Sequence, residues 1–434
     1  MPFPEYIPYQ RKNRWVKILL ILIVVMIVLG VLILQIPRVN RAIYWRMKII
    51  STYLDSLLNP VGKLPTPIVS SQNIVMTDLP TLTSEPRTAT PSPLLTPTPT
   101  MIPTPTAVPT PLPSSAYLNP PPYDPIRDKE DFNNCGPATL ALALRYYSWI
   151  GDQYDIAKVI KPNRDDSNVN VEELIYYVRT QAGWLNAEYR VGGNLDTLRK
   201  YLSNGIPVII EETVMTDRIY LINDDRWAGH YLLLTGYDDA ARQVTTQDVL
   251  LGPNKVISYD TLEEHWQSFN HVYILVFRPE QADLVKTLMG VEADVKVNRQ
   301  NALAAAERET QMNSQNAFAW FDVGSNLVAL ERYNEAAQAY DKARSIGLPM
   351  RMLRYQFGPF IAYFHAGRID DLMTLTKYAL DITPRGSEEA RLWRGWAFYR
   401  ENDKTTALTY FRNSLDIHPG YQDALHAIDY VTNN

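Results

Sequence analysis

The 434-residue sequence holds a single cysteine, Cys135. That excludes an intrachain disulfide and any multi-thiolate zinc site, and leaves the residue as inert packing or as a nucleophile. A basic excess is missing too: 42 Lys and Arg stand against 47 Asp and Glu, for a formal net charge of -5. With no basic field to grip phosphates, nucleic acid is excluded as a partner. There is no phosphate-cradling glycine loop, dinucleotide fingerprint or metal-ligand spacing, so no cofactor and no metal is expected. What the chain has is apolar content, 46% of its residues, enough for packed cores in two or three domains.

One apolar run stands apart. Residues 18–36 (ILLILIVVMIVLGVLILQI) carry no charge and approach the roughly 20 residues that cross a bilayer as helix. The run exceeds the core of about 7 to 15 residues found in a cleavable signal peptide, so an uncleaved transmembrane anchor is expected. Flanking charge does not orient it: Arg11, Lys12, Arg14 and Lys17 face Arg38, Arg41, Arg46 and Lys48. The juxtamembrane segment 37–62 reads either as an amphipathic helix against headgroups or as a plain connector. Residues 63–122 are rich in Pro and Thr, a disordered, semi-rigid linker by composition. Such a stalk holds a domain off the outer face of a membrane. The expectation is therefore a single-pass protein of the cell membrane, with residues 1–17 cytoplasmic and the globular domains extracellular.

Residues 123–280 read as the first globular unit. Asn133 and Asn134 precede CGPATLALALRYYSWI, whose single charge is Arg145, so a buried helix starting near Cys135 is predicted. Asn170 with Glu173 caps a second helix and Asn194 opens a third. Strand-like runs follow at 207–212, 230–239, 242–249 and 271–277, separated by Gly, Asn, Asp and Pro. Helices first and strands after argue an α+β unit.

The remainder, 281–434, is helical in pattern and repeats itself. Trp320, Val323, Gly324, Leu327, Tyr333, Ala336, Tyr340, Ala343 and Pro349 reproduce tetratricopeptide spacing, in which small residues let paired helices approach and aromatics fill between them. Gly395, Phe398, Ala407, Phe411, Ser414 and Pro419 keep the same offsets, and a degenerate copy lies around Gly358 and Ile361. Roughly three repeats with a capping helix at GYQDALHAIDYV make an all-α solenoid.

A thiol becomes a useful nucleophile when its ionised form is favoured, which a helix N-terminus and a neighbouring imidazolium do together. The pattern places Cys135 at a helix start, with Gly136 allowing a substrate to approach and Pro137 suiting the first turn. The first unit offers His230, His265 and His271 as base. His230 heads HYLLLTGYDD behind Ala228 and Gly229, where a strand would hold the ring and a small residue would leave access. His265 lies in helical TLEEHWQSF and His271 begins the last strand, both read as packing or surface. Asp248, in the next strand of the hairpin, is placed to orient the imidazole. Asp238 and Asp239 read as the turn between those strands.

Together NNCGPATLALALRYY, GHYLLLTGYDD and TQDVLLGP resemble the motifs of the bacteriocin-processing (double-glycine) peptidases and their papain-like relatives, over 130–279. The resemblance implies a papain-like fold and thiol-imidazole hydrolysis of peptide or isopeptide bonds. Cys135 would be the nucleophile, His230 the general base and Asp248 the orienter. The chain departs from the pattern at one place. The family usually carries a glutamine five or six residues before the cysteine, where its amide helps bind the oxyanion, and here Lys129 and Glu130 stand instead. Loss of one such donor costs about a hundred- to a thousand-fold in rate, so Asn133 and Asn134 join position 130 as oxyanion candidates beside the Cys135 N–H.

The reading is thus a membrane-anchored cysteine-type peptidase that acts on a peptide or protein substrate and recruits a protein partner at the repeat groove. The alternative is a peptidase fold that has lost turnover and keeps its cleft to bind peptides. Acyl transfer of transglutaminase type uses Cys, His and Asp in the same order.

Overall fold

A computed structural model describes residues 14–68, 111–217, 219–383 and 386–433. Most of the expected cytoplasmic N-terminus and residues 69–110 of the expected linker lie outside the described residues. Helix α1 (Arg14–Leu34) is exposed along its length and has a mean hydropathy of 3.3 over Trp15–Leu34. Among the described residues it is the one helix long and apolar enough to cross a membrane. Its length and composition are those that membrane anchors and signal sequences share.

Helix α2 (Pro37–Leu58) follows, and its partner is protein where headgroups were one expectation. Tyr44 and Trp45 meet the Phe132 ring edge-on at 5.8 and 5.6 Å. Arg41 donates to the carbonyls of Ile126 and Lys129, each at 2.8 Å, and Lys48 pairs with Asp165. Amphipathic spacing announces that one face is covered, and does not say by what.

The expected linker is also narrower than its composition suggests. Leu64 is buried in the repeat core, Arg344 donates to the carbonyls of Pro65 and Thr66 at 2.9 Å, and Ile68 N–H donates to Asp371. At the other end, β1 (Ser115–Tyr117) joins the central sheet. Pro and Thr enforce extended backbone, but extended backbone packs when side chains elsewhere take its carbonyls. Both ends of the stretch are therefore docked, and it does not set the distance between α1 and the domains.

The central unit contains α3 (Cys135–Tyr146), α4 (Gln153–Ile160), α5 (Val171–Gln181), β2 (Asn186–Arg190), α6 (Leu195–Leu202), β3 (Val208–Met215), β4 (Trp227–Asp238), β5 (Gln243–Asp248), β6 (Gly252–Ser258), α7 (Tyr259–Gln267) and β7 (Tyr273–Phe277). The strands form one antiparallel sheet in the order β2-β7-β3-β4-β5-β6, with β1 paired to the far end of β4. This is the expected α+β class. The segregation is looser than expected, because β2 sits between helices α5 and α6. Leu233 and Tyr231 of β4 pack with α3, while Leu232 and Leu234 pack with α6 and α7. Both faces of β4 are covered, which explains its unbroken apolar run.

The C-terminal part is helical: α8 (Ala282–Met289), α9 (Val295–Met312), α10 (Ala317–Ala329), α11 (Tyr333–Ile346), α12 (Met352–Tyr355), α13 (Gly358–His365), α14 (Ile369–Ile382), α15 (Glu388–Arg400), α16 (Lys404–Ile417) and α17 (Gln422–Asn433). Gly324 on α10 meets the Tyr340 ring of α11, and a Cβ there would lie 2.7 Å away. Gly395 on α15 meets Phe411 of α16, with a Cβ 2.5 Å from that ring. The same contact recurs at the same offset in two helix pairs, the packing that the tetratricopeptide pattern encodes.

The boundary at 280 and 281 divides sequence patterns and not separate bodies. Val191, Trp227, Phe269 and Val272 share one buried cluster with Ala302, Phe321 and Tyr340. Arg351, buried, pairs with Asp224 and donates to the Trp227 carbonyl at 2.7 Å.

Candidate active site

Cys135 is the first residue of α3, whose next nine residues, Gly136 to Leu144, are buried. Thr139 of α3 donates to the Tyr231 carbonyl of β4 at 3.0 Å and fixes the helix against that strand. Asn134 is the N-cap residue, but makes no side-chain cap bond. Its amide donates instead to Gln153 at 2.7 Å. Among the described residues no side chain therefore caps the helix start beside the thiol.

His230 lies within β4 and is buried. Its Nε2 is 2.9 Å from Asp248 Oδ1 at the end of β5. The same carboxylate oxygen accepts the N–H groups of Leu250 and Leu251 at 2.7 and 3.0 Å. A carboxylate so held presents a fixed acceptor to the ring. With Nε2 on Asp248, Nδ1 is the nitrogen that faces Cys135 and Glu130. Nδ1 is 3.8 Å from Glu130 Oε2, and the ligand atoms of Glu130, Cys135 and His230 all lie within 4.8 Å of one another. By donor type those three could also hold a metal ion.

Burial works against a charged His230 ring, yet hydrogen bonds to Asp248 and Cys135 and the charge at Glu130 outweigh it and hold its pKa well above the usual value. Burial likewise opposes an ionised Asp248, and the His230 hydrogen bond overcomes it, so its pKa is lowered. At Glu130 burial wins: its carboxyl is pushed up to about 7, with the His230 charge pulling the other way. Glu130 N–H donates to the Val249 carbonyl at 2.9 Å, which pins the loop before Cys135 to the residue after Asp248. Glu130 Oε2 is buried and has no hydrogen-bond partner among the described residues.

Of the residues singled out by sequence, Cys135, His230, Asp248 and Glu130 come together. Asn133 and Asn134 have their amides engaged elsewhere: Asn133 takes a hydrogen bond from Arg354 at 2.7 Å and donates to the Asp166 carbonyl. His265 is half-buried on α7, and His271 packs on Trp266 and faces Glu263 at 3.2 Å. Gly229 does not leave access as expected. The Phe269 ring and Tyr355 of α12 crowd it, so that a Cβ would lie 2.6 and 3.0 Å from them. A residue of the repeats thus touches the strand that carries His230.

Sequence reasoning missed Glu212. It stands directly opposite His230 in the β3–β4 ladder, with Oε2 buried and without a hydrogen-bond partner among the described residues. Burial raises its carboxyl to about 7, against the pull of His230. Two glutamates closing the apolar run PVIIEE were the available signal; the cross-strand register that aims one at the histidine was not readable.

A thiol at a helix start, a buried imidazole and a carboxylate hydrogen-bonded to it are group types that cysteine hydrolases use. Residues 119–274 match the model of the Peptidase C39 like family. No curated protein matches the chain. Among solved structures, a Bacillus anthracis protein described as C39-like peptidase is 18% identical, over 38% of this chain and 98% of that one, with a TM-score of 0.30. Xylellain, a cysteine protease from Xylella fastidiosa, is 15% identical over 39% of this chain and 87% of its own, with a TM-score of 0.30. YrrB, described as a TPR protein with an unusual peptide-binding site, is 19% identical over 34% of this chain and 88% of its own, with a TM-score of 0.18.

Proposed function

We propose that the protein is a membrane-anchored cysteine peptidase that cleaves peptide or isopeptide bonds with Cys135, His230 and Asp248. The observation that carries the reading is Asp248 Oδ1 at 2.9 Å from His230 Nε2, with the other ring nitrogen turned to the thiol at the start of α3. His230 Nδ1 takes the Cys135 proton, the sulfur attacks the scissile carbonyl and forms the C–S bond, and the C–N bond breaks as that proton passes to the leaving amine. Water then gives a proton to the same nitrogen and attacks the acyl carbon, and the C–S bond breaks to release the acid and return the thiol. Asp248 keeps the ring in register and balances its charge.

The developing oxyanion is held by the Cys135 backbone N–H and by Glu130 in its neutral, protonated form. A carboxylate there would repel the oxyanion, whereas a carboxylic acid donates to it as the glutamine of related sites would. The raised pKa of Glu130, set by burial, supplies that neutral form below about pH 7.

Turnover of peptides by the purified full chain, abolished in Cys135→Ala, tests the reading. Peptide binding undiminished in Cys135→Ala, with no product from the parent protein, would replace hydrolysis by binding. The anchor reading rests on α1, and α2 then holds the central unit at the membrane. With residues 1–17 inside, protease added to intact cells digests the globular part; full protection would reverse the orientation. The repeat groove is assigned a peptide or protein partner, on the recurrent helix pairing at Gly324 and Gly395.

A further inference from the structure

A second cluster of titratable groups lies between the central unit and the repeats. Glu173 comes from α5, Glu388 opens α15, and His418 follows the last residue of α16. Glu388 is 1% exposed and His418 8%. Among the described residues neither Glu388 Oε2 nor His418 Nδ1 has a hydrogen-bond partner. That nitrogen is 3.4 Å from Glu388 Oε1 and 3.6 Å from Glu173 Oε1, and the three ligand atoms lie within 4.8 Å of one another.

Those separations are long for a charge-assisted hydrogen bond, which runs about 2.7 to 2.9 Å. They suit another object. A tetrahedral centre with metal–ligand bonds of about 2.0 to 2.1 Å has edges of about 3.3 to 3.4 Å between its ligand atoms. The ring is oriented by stacking on Tyr421, with centroids 5.7 Å apart and planes at 12°. Glu173 is held by its second oxygen, which accepts the Asn170 N–H at 2.7 Å, the kind of outer support that ligating carboxylates have.

The surroundings are acidic. Asp166 and Glu389 are also buried there; Asp166 lies within hydrogen-bonding reach of Glu388, and Glu389 accepts from Asn170. Against four carboxyl groups stand the buried Lys161, whose ammonium donates to the Arg164 carbonyl, and the half-buried Arg354 and Arg391, whose charges act on Asp166 and Glu388. A buried excess of negative charge needs a cation or protons.

We propose that Glu173, Glu388 and His418 form a divalent-metal site of zinc type that clamps the repeats to the central unit. The imidazole selects a borderline metal such as zinc over calcium, which takes oxygen ligands. The Glu173 side chain is 18% exposed, so the fourth position opens toward solvent and takes a water. None of the three ligands belongs to the catalytic set, and two come from the repeats, so the site stands apart from the peptidase reading.

The test uses the full chain in detergent, stripped with a chelator and carrying Cys135→Ala so that the catalytic thiol takes no metal. Equilibrium dialysis against zinc, followed by elemental analysis, is expected to give one equivalent that the same protein with His418→Ala lacks. Glu173→Gln, at the more exposed ligand, is expected to weaken that equivalent at least tenfold while leaving the circular dichroism spectrum unchanged. Zinc should raise Tm in the Cys135→Ala protein and not in either variant. Equal zinc uptake by all three proteins, or none by Cys135→Ala, would overturn the proposal and leave a proton shared by Asp166 and Glu388 as the neutralising partner. Calcium uptake with no zinc uptake would overturn it as well.

Discussion

Replacing Glu130 with glutamine separates the two states that its buried carboxyl can occupy. Its pKa is pushed up to about 7 by burial, so about nine tenths is neutral at pH 6 and about one tenth at pH 8. If the neutral form donates to the oxyanion, kcat/KM of the parent falls about tenfold per pH unit above 7, whereas glutamine donates at every pH. The two proteins are then equal within about twofold at pH 6, and the variant is about tenfold faster at pH 8. The other groups facing residue 130 are His230, Asp248, Lys129 and Asp131; the Glu130 charge helps hold the His230 pKa up, so glutamine lowers it as well, and labelling of the thiol against pH in both proteins measures that shift separately. Stability gives a second readout. A raised carboxyl contributes stability in full below its ordinary value of 4.5, and that stability is lost as pH rises to about 7. Two and a half units correspond to about 3 kcal/mol, so the variant should be more stable by up to about that amount at pH 8 in denaturant melts. Parallel kcat/KM profiles from pH 5 to 9 would refute the donor role, and equal stability at pH 8 would refute the buried carboxyl.

Three further outcomes follow from the packing and the site. Asp248→Asn keeps the shape but loses the charge that balances His230, and should lower kcat on the order of 10² to 10⁴-fold in peptide assays; an unchanged kcat would remove Asp248 from the site. Gly324→Ala places a Cβ 2.7 Å from the Tyr340 ring, and the overpacking of about 1 to 3 kcal/mol exceeds the roughly 0.5 to 1 kcal/mol that alanine returns in helix propensity, so Tm should drop. Arg351→Ala leaves Asp224 buried without its partner, at a cost of about 3 to 5 kcal/mol, and limited proteolysis should then cut near 280 where the parent resists.

Much of this was legible in the sequence because it depends on short-range pattern. The helix at Cys135 announced itself by an apolar run with one charge, and the β4–β5 hairpin by Asp238 and Asp239 at its turn. The repeat glycines appeared at the offsets where the structure puts them against Tyr340 and Phe411. What failed to show was long-range. Strand β6 is an exposed edge and carries no alternation to detect. Glu212 faces His230 only through cross-strand register, and Gly229 is small because Tyr355, more than a hundred residues later, crowds it. The Pro/Thr composition of 63–122 said nothing of Arg344, which holds one end of the stretch. Glu173, Glu388 and His418 are too far apart in the chain to form a spacing motif.

The central claim is that His230 activates Cys135, and covalent labelling of the thiol tests it most directly. A free thiol ionises near pH 8.5, so a thiol-directed probe at about pH 5.5 reads activation by its neighbour and little else. The account predicts rapid labelling of Cys135 in the parent protein at that pH and its loss in His230→Ala. Equal labelling of the two proteins, or labelling that appears only above about pH 8.5, would contradict it.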